Sequence, residues 1–214
     1  MSVARFCIVI PLMALGCQAK ATPERPSVSS LQPAATLGAQ APDFKLPDLD
    51  GNAVSLSSFR GKTVVLEWFN PECPFVKASH TKGSLNGTAA RYTEKGIVWL
   101  AINSGAPGKQ GAGREVNLAG RDKFGLKHPI LLDESGAVGK LYGAKRTPHL
   151  FVIDPSGTLV YRGAPDNSPD GEAESPTSGT LVRHIDVALS EVEQKKAVSV
   201  KETEAYGCSV KYGS

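Results

Sequence analysis

The 214-residue chain has no apolar run of the about 20 residues that cross a bilayer, no long basic run and no internal repeat. The first absence excludes a multi-span membrane protein. The second sets nucleic-acid binding aside, because the net charge of +3 is spread along the chain. The composition is neither collagen-like nor that of a wholly disordered chain. Apolar residues make up 41% and charged residues 21%, ordinary values for a soluble globular protein. Cysteine is scarce. The four thiols stand at positions 7, 17, 73 and 208, two of them within the first 17 residues.

That split separates an address from a fold. Residues 1–5 are short and positive, and residues 6–15 are almost wholly apolar. Ten apolar residues match a signal-peptide core and fall short of a spanning helix. Ala14-Leu15-Gly16-Cys17 resembles a bacterial lipobox, although Leu15 holds the place of a small residue. In a lipobox the cysteine is lipidated and becomes the new N-terminus. Ala19-Lys20-Ala21 offers ordinary cleavage instead. Both readings export the chain to the cell envelope of a bacterium, and the first implies a lipid anchor on Cys17. Residues 1–17 are therefore expected to form a lipoprotein-type signal. Residues 18–40, rich in Ala, Pro, Ser and Gln, form a flexible tether. Residues 41–194 form the folded domain, and 195–214 a tail carrying Cys208. Export means an oxidising compartment. With Cys7 removed and Cys17 removed or capped, Cys73 and Cys208 are the thiols left in the mature domain.

The folded part alternates strand and helix signals. Residues 41–56 read as a β-hairpin around Asp50-Gly51-Asn52. Residues 63–69 (TVVLEWF) and 96–103 (GIVWLAIN) read as buried strands, with Trp68 and Trp99 in the core. Residues 74–94 read as one helix weakened by Gly83 and Gly87, 114–124 as a polar helix and 135–142 as a short one. Residues 129–132, 149–154 and 158–162 read as strands, and 177–194 as an amphipathic helix. Such alternation predicts an α/β fold with a mostly parallel sheet.

Cys73 follows a buried strand and the turn Asn70-Pro71-Glu72, and it precedes a helix opened by Pro74. A thiol there faces unpaired backbone N–H groups and the positive end of the helix dipole, which favour the thiolate. This predicts an ionised, reachable nucleophile. Glu67 lies within the apolar strand, where burial is expected to raise its pKa. It is then a proton acceptor for Cys73, or a structural carboxylate paired with a residue such as Lys77. Cys208, between Gly207 and Ser209 in a polar tail, is expected to be accessible and to resolve Cys73. That disulfide would close a loop of about 135 residues, worth about 5 kcal/mol on the chain-entropy model, so a structural clamp is one alternative, and a Cys208 held far away that pairs between molecules is another.

Several segments resemble the thioredoxin-like superfamily, and specifically its redoxin branch of alkyl hydroperoxide reductase and thiol-specific antioxidant type. They are Ala41-Pro42-Asp43-Phe44, Asp50-Gly51, Gly61-Lys62, the strand leading to Cys73-Pro74, Leu141-Tyr142-Gly143, Thr147-Pro148 and Phe151-Val152-Ile153-Asp154. The likeness spans about residues 38–165. It implies an α/β thioredoxin-like fold, with a central mixed, mostly parallel sheet flanked by helices and an N-terminal β-hairpin. It also implies that Thr147-Pro148 is a cis-proline site facing the active cysteine and offering backbone to a bound peptide. Glu67 lies six residues before Cys73, as the buried acid of thioredoxins does. The chain departs from both parent patterns. Val76 stands where thioredoxins have their second cysteine, and Leu66 and Asn70 replace the Pro and Thr/Ser of the peroxiredoxin pattern.

The resulting expectation is an exported thiol-dependent oxidoreductase acting on protein disulfides or peroxide. It needs no cofactor and draws on an unidentified thiol reductant. Two alternatives stay open. One is copper or zinc binding by Cys73, His80, His149 and Cys208, against which His80 lies about 10 Å along the helix from Cys73. The other is a non-catalytic envelope binding domain with a structural disulfide. His149 is either a stabiliser of the Cys73 thiolate or a core histidine.

Overall fold

The computed structural model describes residues 33–213. The expected signal, the Cys17 anchor and the tether up to residue 32 lie outside the described residues. Residues 33–40 do not behave as a tether. Ala35 is buried and donates its N–H to the Leu141 carbonyl, and Gly38 donates to Leu159. This stretch therefore belongs to the domain, held by backbone hydrogen bonds that composition does not reveal.

Strands β1 (Lys45–Pro47) and β2 (Ala53–Ser55) form the expected antiparallel hairpin. Its turn is closed by Asp48, whose carboxylate accepts from the Asp50 and Asn52 amides. β3 (Val64–Trp68) is buried at every residue because it lies mid-sheet. It pairs in parallel with β4 (Val98–Asn103) and antiparallel with β7 (His149–Ile153). β5 (Ile130–Leu132) and β8 (Leu159–Gly163) complete a five-stranded sheet of order β5-β4-β3-β7-β8 among the described residues. The sheet is mixed, as expected, and only β7 runs against the other four strands. The β3–β4 and β4–β5 pairs are parallel, while β3–β7 and β7–β8 are antiparallel. The turn at residues 154–157 is too short for a crossover, so β8 must run back along β7.

Side chains alternate across this sheet. Leu66, Trp68, Leu100, Ile102 and Phe151 pack on one face with Phe44 and with Tyr142 of α4 (Ala137–Tyr142). Val65, Trp99, Leu150 and Val152 pack on the other with Tyr92 of α2 (Thr88–Thr93) and with α5 (His184–Glu193). Ile185, Ala188 and Leu189 give α5 its helical stripe. That helix starts at His184 rather than near 177, because the preceding residues form a loop tied to Asn167. α3 (Arg114–Phe124) matches its expected span.

The helix expected over 74–94 is two helices, α1 (Pro74–Thr81) and α2. Gly83 and Gly87 separate them. A Cβ on Gly83 would collide with the Gly171 carbonyl, and Gly87 takes φ +69°. These are close-approach and left-handed positions, so the glycines break the helix rather than weaken it. Two further strands, β6 (Arg146–Thr147) and β9 (Cys208–Ser209), form a separate antiparallel pair. No helix among the described residues is long and apolar enough to cross a membrane.

Candidate active site

β3 ends at Trp68, and Asn70 then bridges the junction. Its side-chain carbonyl accepts from the Glu72 amide and its side-chain amide donates to the Gln110 carbonyl. This fixes the turn that delivers Cys73 to the N-cap of α1, with Pro74 in the first turn. Cys73 is fully buried, which corrects the expectation of a reachable thiol. Leu49, Phe69, Val76, Ala101 and Ile130 surround it, and the tail covers it.

The Cys73 thiol donates to the Thr147 carbonyl at 3.2 Å. The Thr147–Pro148 bond is cis, as the resemblance implied. Thr147 faces Cys208 across the β6–β9 ladder, which brings the Cys208 thiol near enough to Cys73 for each to shift the other's acidity. Both are free cysteines. Burial pushes the Cys73 pKa up. Hydrogen bonds from Cys208, from Thr147 and from the Val76 amide in the first turn of α1 outweigh it, and the thiol is held below its ordinary value. Burial and the neighbouring Cys73 push Cys208 the other way, to about 11. The first thiol is the better nucleophile and the second a proton-keeping donor. The Thr147 hydroxyl is buried with no hydrogen-bond partner. It is therefore a donor in reserve for the thiolate, which can no longer donate to the Thr147 carbonyl.

Glu67 is fully buried beneath this junction. One carboxylate oxygen lies 2.7 Å from His80 Nε2 on α1, and the other accepts from Trp99 Nε1 at 2.9 Å. Burial alone would raise the Glu67 pKa. The charge and hydrogen bond of His80, with His128 and Trp99, reverse that, so the pKa is lowered. This corrects the expectation of a raised, proton-accepting carboxyl. The partner is also His80 rather than Lys77. Sequence reasoning placed His80 among metal ligands because the registry of a helix against a strand is not legible in one chain segment. The signal that was available is the need of a mid-strand carboxylate for buried donors.

His149 makes its contacts elsewhere than at Cys73. Its Nδ1 accepts from the Lys145 amide at 3.4 Å and its ring lies against Phe151 at 4.5 Å. Burial, with Arg162 and Lys145 nearby, lowers its pKa to about 4. Cys73, Cys208, His80 and His149 do not gather into one ligand set, and among the described residues no three His, Cys, Asp or Glu side chains are placed to hold a metal ion.

The tail that covers Cys73 is pinned by contacts no motif announced. The Tyr206 hydroxyl donates to Asp166 Oδ1 at 3.0 Å and lies 3.2 Å from Ser79 Oγ on α1. Tyr212 donates to the Ala144 carbonyl at 2.8 Å.

The redoxin family model matches residues 36–181. The chain belongs to the redoxin family. The match begins within the expected tether, in keeping with the packing of residues 33–40, and it stops short of Cys208. This redoxin is 32% identical over 127 residues to the thiol-disulfide oxidoreductase ResA of Geobacillus thermodenitrificans, covering 59% of this chain and 68% of that relative. Two solved structures superpose more fully. A hypothetical protein of Sinorhizobium meliloti 1021 shares 30% identity and a TM-score of 0.72, covering 85% of this chain and 97% of that one. An uncharacterized conserved protein of Geobacillus kaustophilus shares 31% identity and a TM-score of 0.72, covering 89% and 97%. A putative thiol:disulfide interchange protein DsbE of Chlorobium tepidum shows the same fold, at 23% identity and a TM-score of 0.53.

Proposed function

We propose that this redoxin is an extracytoplasmic thiol–disulfide oxidoreductase in which Cys73 is the nucleophile and Cys208 the resolving thiol. The observation that carries the reading is the meeting of the two thiols across Thr147, one lowered in pKa and the other raised. The likeness to ResA supports the reaction class.

The Cys73 thiolate attacks one sulfur of a protein disulfide. A Cys73–substrate disulfide forms, and the departing substrate sulfur takes a proton. Cys208, deprotonated as it attacks, then bonds to the Cys73 sulfur and releases the second substrate thiol. The substrate gains two electrons and two protons, and the protein is left with a Cys73–Cys208 disulfide. A thiol reductant outside this chain returns it to the dithiol. Thr147 and Pro148 line the place where substrate backbone lies, and the Thr147 hydroxyl stabilises the thiolate. Glu67 is a positioning residue. It ties β3 to α1 through His80 and thereby sets where Cys73 stands. The segment 1–17 supports delivery outside the cytoplasm, with a lipid on Cys17 as the membrane attachment.

The test is a single turnover of the reduced protein with a protein disulfide and, separately, with hydrogen peroxide. The expected result is an internal Cys73–Cys208 disulfide formed faster with the protein disulfide. With Cys208→Ser the reaction stops at a Cys73–substrate adduct. Peroxide consumption without disulfide reduction would convert the reading to a peroxidase, and inertness to both would remove the enzyme.

A further inference from the structure

The backbone of β6 is an edge, and its partner is two residues of the chain's own tail. That tail is fixed on either side of the crossing. Upstream, the Thr203 N–H donates to the Arg162 carbonyl at 3.1 Å, and Thr203 Oγ1 accepts from the Ala164 amide at 2.9 Å. Downstream, the Val210 N–H donates to the Lys145 carbonyl at 3.1 Å and the Lys211 carbonyl accepts from Ala106 at 2.8 Å. Between the anchors, residues 204–209 cross over Cys73. Gly207 takes φ +101° there, and a Cβ on it would strike the Thr147 carbonyl. Tyr206 is the side chain that ties the crossing down, through Asp166 and Ser79. Grooves of about 530 and 550 Å³ lie against residues 203–205 and Arg146, so the crossing is bordered by open space.

We propose that residues 204–209 are a strap that fills, in the resting dithiol, the place of a partner's extended cysteine-bearing segment, and that Tyr206 is its latch. The proposal rests on the oxidoreductase reading above and adds its regulation. A bare edge strand recruits another strand by backbone hydrogen bonds. Here the recruit is internal, places a cysteine opposite Thr147, and leaves Cys73 without exposed surface. Lifting the strap opens the edge and Cys73 to a peptide and carries Cys208 away from the nucleophile in the same movement. Closing returns Cys208 to the adduct and displaces the peptide from β6, so resolution and release are one event. An extended segment of another protein fits this edge by the same ladder, whereas a small oxidant has no use for it.

The test measures maleimide labelling of Cys73, by peptide mapping of the reduced full chain, in the parent, Tyr206→Phe and Gly207→Ala. Loss of the Tyr206 hydrogen bonds to Asp166 and Ser79 is expected to raise the labelling rate about tenfold at fixed pH. Gly207→Ala, which drives the strap off Thr147, is expected to raise it at least as much. Thermal melts show that each variant is folded, and Tyr206→Phe, which removes one hydroxyl, decides the matter should Gly207→Ala unfold. Equal labelling of parent and Tyr206→Phe overturns the strap while the thiol chemistry stands. Fast labelling of the variants with no disulfide reduction by any of them supports the strap and removes the oxidoreductase reading.

Discussion

The junction that holds Cys73 and the strap that holds Cys208 meet at two sulfur atoms and are built by different rules. The junction is local in sequence and deep. β3, a hydrogen-bonded turn and α1 follow one another, and beneath them Glu67 binds His80 and Trp99 without any access to water. The strap is distant in sequence and shallow. It is a two-residue ladder with a tyrosine at each end, and Cys208 is half-buried. Identical side chains thus acquire opposite acidities. The one seated against a helix N-terminus is lowered, and the one across Thr147 from it is raised to about 11, first by burial. The lesson is that rigidity and mobility have been given to different thiols: the nucleophile is placed by the core, and its partner is carried by an element that can leave.

The sharpest way to break this contrast is to attack each side's support. Glu67→Leu strips two buried donors of their acceptor and is expected to destabilise the fold by about 3–5 kcal/mol in chemical denaturation. Glu67→Gln, which keeps hydrogen-bonding capacity, should recover most of that loss. Cys208→Ser should shift stability by less than about 1 kcal/mol, because the strap is not part of the core. Equal losses in Glu67→Leu and Cys208→Ser would erase the distinction.

Acid probes both regions at once. His128, beside Trp99 under the junction, and His149, behind the β6–β7 corner, are each lowered to about 4, chiefly by burial. The unfolded chain therefore binds protons that the fold refuses between pH 6.5 and 4, and stability falls as pH drops through that window. Each histidine accounts for on the order of 3 kcal/mol by pH 4. The melting temperature should decline across the window, and His128→Gln or His149→Gln should each remove about half of the decline. A flat profile in the parent would contradict the burial of both rings. The smallest effect belongs to Thr147→Val, which exchanges the reserve hydroxyl for a methyl. It should raise the Cys73 pKa, read from the pH dependence of alkylation.

Much of the fold was legible because its signals are local. Residues 63–69, 96–103 and 149–154 announce buried strands by β-branched density, and Asp50-Gly51 announces its hairpin. Cys73 was legible for the same reason, since strand, turn, thiol and proline lie in one short stretch. The rest depends on pairings between distant parts of the chain. Nothing near Glu67 names His80 and Trp99 as its partners, and the expected raised pKa failed on that point. Nothing in residues 203–212 shows that they return to β6, so Cys73 was expected at the surface and is found beneath them. The Gly83 break depends on a carbonyl 88 positions further along, at Gly171.

The strand that covers the nucleophile comes from residues 208–209, beyond the stretch that matches the family model. Any chain made and delivered N-terminus first presents Cys73 long before its counterpart exists. Until residues 204–209 have emerged, that sulfur is uncapped, and a product cut just after α5 keeps the five-stranded sheet yet carries a bare thiol. A fragment cut after α5 would keep its core helices and would be chemically a different molecule.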